Sequence, residues 1–113
     1  MLVYHRTHHT AAILRDGFKD GYYALPHIGE LHGVFVSADW PLDENEGADG
    51  DAVIEIDVPD ALFVEYEWVT EDSTYRESMI PAADLNDLPR RVLTDDEIAE
   101  LTQRRFDSFL DVY

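Results

Sequence analysis

Three short stretches, far apart along the chain, carry side chains able to bind or polarise a small molecule. Val3-Tyr4-His5-Arg6-Thr7 is an apolar run ending in an imidazole and a hydroxyl. Gly33-Val34-Phe35-Val36-Ser37 offers a ring and a hydroxyl, and Tyr75-Arg76-Glu77-Ser78-Met79-Ile80 a carboxylate. An imidazole donates or accepts near neutral pH, a ring presents a flat apolar face, and a carboxylate accepts hydrogen bonds. Taken singly, each residue also has a purely structural use. His5 can be satisfied by a backbone carbonyl, Thr7 can cap a helix, Phe35 can be core, and Glu77 can be one of 25 acids facing water.

Other clusters carry less. His5, His8 and His9 near the acidic connection Asp43 to Asp51 could together bind a divalent ion. They straddle a strand-to-helix junction that should splay them, no HExxH spacing is present, and the connection does not fit the EF-hand register. No metal site is expected, and His27 and His32 receive no role. A nucleophile elbow, a phosphate-cradling glycine loop and a GxGxxG fingerprint are all absent, so a Rossmann-type NAD user is excluded.

The elements that must position these groups follow from patterning. Leu2 to Tyr4 reads as a buried strand, with Thr7 capping a helix that starts near His8 and stops at Gly17. Ala11, Leu14 and Phe18 mark that helix's apolar face, with Ile13 beside it. Lys19 to His32 shows no sustained period and reads as a loop. Gly33 to Ser37 is a strand, and the acidic connection after Trp40-Pro41 must sit in water. From Asp51 to Val58 the alternation is clean, with Ala52, Ile54, Ile56 and Val58 on one face. Leu62 to Val69 is β-prone, Glu71 to Thr74 a turn, Tyr75 to Ile80 a strand, and Ala82 to Leu85 one helical turn. Thr94-Asp95-Asp96-Glu97 is a capping box opening a helix over about 95–111, with Ile98, Leu101, Phe106, Phe109 and Leu110 as its apolar face.

Composition bounds the function. A chain of 113 residues fits one domain, 1–113, that buries about 65% of its unfolded surface. There is no cysteine, so thiol chemistry and zinc-thiolate sites are out and a cytoplasmic setting is expected. No apolar run approaches the ~18 residues of a membrane span, and the N-terminus lacks the order of a secretion signal. A net charge of −17 repels phosphate backbones, which disfavours direct nucleic-acid binding. With one lysine against seven arginines, the acidic excess resembles proteins adapted to high salt.

The order of His5 with Thr7, then Phe35 with Ser37, then Glu77, each at or near a predicted strand, resembles the ADP-ribosyltransferase superfamily over roughly residues 2–86. The likeness is to its poly(ADP-ribose) polymerase-like, diphtheria-toxin-like and RNA 2′-phosphotransferase-like members. It implies an α+β fold with a small split, mostly antiparallel sheet, a short N-terminal helix and an added long C-terminal helix. It also implies NAD as substrate, with His5 and Glu77 catalytic. His5 would bind the adenosine-side ribose, Thr7 would support the strand end near the dinucleotide, and Phe35, with Ser37 two residues on, would stack on nicotinamide. Glu77 would bind the 2′-hydroxyl of the nicotinamide ribose and stabilise the oxocarbenium-like transition state.

Arg6 stands where polymerase-like members have glycine, and could favour the pyrophosphate. Phe35 replaces the usual tyrosine, so Tyr22 and Tyr23 are further stacking candidates. The activity implied is transfer of ADP-ribose to an unknown acceptor, a protein by preference, or to water. The alternative is a non-catalytic acidic module that binds a basic partner, in the manner of a DNA mimic.

Overall fold

Strand β1 (Leu2–Thr7) runs through the middle of an antiparallel sheet and is buried from both sides over Val3 and Tyr4. The computed structural model describes residues 1–25, 29–43, 48–68 and 75–110, without the side chains of Tyr23 and Leu25. The expected turn at 71–74 and His27 lie outside these. Within them the chain is α+β, in the order β1, α1 (Thr10–Asp16), β2 (Gly21–Leu25), β3 (Gly29–Ala38), β4 (Ala52–Asp57), α2 (Asp60–Glu65), β5 (Glu67–Trp68), β6 (Glu77–Ile80), α3 (Ala82–Leu85), β7 (Arg90–Val92) and α4 (Asp95–Leu110). The strand order is β5-β6-β3-β1-β4-β7, with β2 paired to β3. No helix among the described residues is long and apolar enough to cross a membrane.

Two layers of core follow from strand alternation. Val3, Val34, Val36, Ile54, Ile56 and Ile80 face one way and pack with Ile13, Phe18, Phe63 and Leu85 from the helices and loops. Tyr4 and Val53 face the other way, against Leu93 and Leu101. β4 is therefore buried on both faces, with Ile54 and Ile56 on the face expected from the sequence. Phe63, with no exposed surface, contributes about 2–3 kcal/mol through burial.

Several expectations are corrected. Lys19 to His32 is not a loop. It contains β2 and the start of β3, joined in register from Gly21 opposite Gly33 to Leu25 opposite Gly29. Tyr22, Ala24, Glu30 and His32 of this hairpin are exposed, so no buried apolar face announces it in the sequence. Leu62 to Val69 is not one strand. Pro59 in extended geometry and Asp60 in the first turn start α2, which buries Phe63, and Glu67–Trp68 form β5, while Val69 lies outside the described residues. β7, three residues long, is too short to carry a pattern of its own.

α1 begins at Thr10 rather than near His8, and Leu14 is exposed while Ile13 is the buried residue. The helix ends at Asp16, so Phe18 lies beyond it and its stripe never includes that ring. Gly17 makes the stop with φ +85, and a Cβ there would fall 2.8 Å from Asn86 Oδ1. Asn86 then holds Phe18 in the core, accepting its N–H at 2.7 Å and donating to its carbonyl at 3.2 Å. The capping box of α4 forms as expected, but Phe106, Phe109 and Leu110 are exposed, so the apolar face is covered only in its first half.

Candidate functional site

The site originates in a mismatch of pairing. β1 is in register with β4 along six residues but with β3 at only two positions, Val3 opposite Ala38 and Tyr4 opposite Ser37. Beyond Tyr4 the strands part, and a cavity of about 360 Å³ opens between them. That is the size of a small-molecule site, for which ~300–1,000 Å³ is usual. His5 and Arg6 line it from β1, Phe35 and Ser37 from β3, Glu77 from β6, and Leu42, Ala48 and Asp49 from the β3–β4 connection.

His5 bridges the gap. By alternation it belongs to the face of Val3, whereas Arg6, Phe35, Ser37 and Glu77 share the face of Tyr4. Its Nδ1 lies 2.8 Å from the Phe35 carbonyl oxygen, on the stretch of β3 that is out of register with β1. A carbonyl only accepts, so Nδ1 carries the proton and Nε2 of the neutral ring is an acceptor. Burial lowers the His5 pKa below its ordinary value, against the opposing pull of the Phe35 carbonyl. The ring also packs edge-on against Phe18, centroids 5.7 Å apart. The structural use foreseen for His5, satisfaction by a carbonyl, thus occupies one nitrogen only.

Glu77 opens β6, half-buried, with Ser37 opposite on one side and Trp68 on the other. Ser37 is buried and its hydroxyl donates to the Trp40 carbonyl at 2.7 Å, tying down the turn that follows β3. Arg6 donates from Nε to the Leu42 carbonyl at 2.7 Å and from Nη1 to the Gly50 carbonyl at 3.4 Å. Tyr4 also lines the cavity; its burial first, and the neighbouring Glu55 carboxylate second, push its phenol up to about 12.

Other expected site residues lie elsewhere. Thr7 is buried away from the lining, its Oγ1 accepting the His9 N–H at 2.9 Å in the turn before α1. Tyr22 stands exposed on the hairpin, donating to Glu30 at 2.7 Å and edge-on to His32. The side chain of Tyr23 is outside what the structure describes. Both ring nitrogens of His8 face carboxylates, Asp49 at 3.1 Å and Asp51 at 3.5 Å, and the Asp49 bond raises its pKa. That suits an imidazolium, and no cluster able to hold a metal occurs among the described residues.

The wall from Leu42 and Ala48–Asp49 was missed, because a run of acids reads as solvated throughout. The apolar start Trp40-Pro41-Leu42, with Leu42 buried, is the signal that could have shown it. Comparison with protein-family models, curated proteins and solved structures gives no match for this chain.

Proposed function

We propose that the cavity between β1 and β3 binds NAD and cleaves its nicotinamide–ribose bond, passing ADP-ribose to a protein acceptor or to water. The observation that supports this reading is the convergence of His5, Phe35 and Glu77, from three separate strands, on one cavity. His5 Nε2, free to accept, takes a hydroxyl of the adenosine-side ribose. Phe35 offers its ring to nicotinamide. Glu77 accepts the 2′-hydroxyl of the other ribose and holds negative charge beside C1′. As the C1′–N bond breaks, its electron pair leaves with nicotinamide and positive charge spreads over C1′ and the ring oxygen. A fixed anion there stabilises the transition state more than the ground state. The nucleophile then bonds to C1′ and releases its proton. Thr7 and Tyr22 have no part in this reading.

The test is nicotinamide release at low and high salt, with NAD binding followed by thermal shift. Glu77→Gln should slow release by about a hundredfold or more while binding changes little. No release by the wild type at any salt, or an unchanged rate in Glu77→Gln, would overturn the proposal. An acidic docking module would show no NAD-induced shift, and its partner's affinity would fall as salt screens the charges.

A further inference from the structure

The described ends of the β3–β4 connection, residues 39–43 and 48–51, contain neither helix nor strand, yet Leu42, Ala48 and Asp49 form one wall of the cavity. Something outside the connection must hold them. We propose that Arg6 is a positioning residue, whose guanidinium draws Leu42 and Gly50 onto β1 and so builds that wall.

Geometry supports this first. Nε reaches the Leu42 carbonyl at 2.7 Å and Nη1 the Gly50 carbonyl at 3.4 Å, so one rigid group joins both ends of the excursion to the strand that carries His5. The Gly50 end meets β1 directly, since a Cβ at Gly50 would fall 2.4 Å from the Thr7 backbone. Between the pinned ends the Ala48 N–H donates to the Asp43 carbonyl at 3.0 Å. Charge acts in the same direction. The connection is rich in acids, and Arg6 places a permanent cation against it where like charges would otherwise push it into solvent. Lysine cannot replace this arrangement, because a single ammonium does not present two donors in a fixed planar fork. Arg6 also lines the cavity, but with Nε and Nη1 engaged on these carbonyls its main action on a ligand is through the wall.

Two measurements decide the point. Amide exchange in the ligand-free protein, for Ala48, Asp49 and Gly50, should quicken by about tenfold or more in Arg6→Met, the scale of a lost hydrogen bond to a charged group. Arg6→Lys should follow Arg6→Met rather than wild type. The second measurement rests on the NAD reading. In both variants the loss should fall on KM for NAD more than on kcat. Exchange at wild-type rates in both variants would overturn the proposal, as would weakened NAD binding with unchanged exchange, which would mean direct contact. If wild type itself fails to bind NAD, the proposed function falls and exchange alone decides the role of Arg6. Should Arg6→Met not fold, Arg6→Lys carries the comparison.

Discussion

The imidazole of His5 donates to the carbonyl of Phe35 across the gap where β1 and β3 cease to pair. That one bond gives the carbonyl a donor, fixes the tautomer, and leaves the second nitrogen of the neutral ring as an acceptor. His5→Phe keeps a ring against Phe18 but removes this hydrogen bond, at a cost of about 0.5–1.5 kcal/mol in unfolding free energy.

The same bond sets a pH dependence. Burial lowers the His5 pKa in the folded state, so the folded protein disfavours the imidazolium. The stability this contributes is complete above the unfolded value near 6.5 and is lost as pH falls through the lower folded value. Urea unfolding should therefore show the gap between wild type and His5→Phe largest above about pH 6.5 and narrowing on acidification. A gap that widens in acid would contradict the neutral tautomer.

Gly50 tests the wall from the other side. Its φ of +155 and the 2.4 Å approach of a Cβ to the Thr7 backbone leave no room for a side chain, and backbone cannot swing aside as a side-chain tip can. Gly50→Ala should lower stability by about 2 kcal/mol or more by denaturant midpoint, whereas Gly29→Ala, with open space around its Cβ, should lose less. Equal losses at the two sites would show that conformation rather than close packing governs both.

How much was legible in the sequence follows from where the signal lay. β4 could be read because burial imposes alternation on Ile54 and Ile56, and α4 because Thr94 and Glu97 announce its start. The hairpin of β2 and β3 could not, because Tyr22 and His32 stand in water and no core selects their faces. α2 hid behind β-prone residues whose conformation Pro59 and the burial of Phe63 decide. At the site, His5, Phe35 and Glu77 were legible as polar and aromatic residues on strands, and the three line one cavity. The parting of β1 from β3, and the use of Arg6 to hold a wall, depend on partners distant along the chain that no local pattern encodes.

The start of α4 offers a last measurement. Thr94 Oγ1 accepts the Glu97 N–H at 3.2 Å while the Thr94 N–H donates to Glu97 at 3.0 Å, and Arg91 bridges Glu97 to Glu55. These partners, the Arg91 bond foremost, hold the Glu97 carboxyl at about 2, well below its ordinary 4.5. A depressed carboxylate contributes stability that is complete above the unfolded value and vanishes as pH falls through the folded one. Thr94→Ala should cost about 1 kcal/mol at neutral pH. Glu97→Gln should remove part of the acid-unfolding limb between about pH 4.5 and 2, so that the two proteins converge at the acid end. Since Leu101 is the one buried residue of this helix, loss of the cap should show as fraying of the first turn in amide exchange, with the β4 amides unchanged.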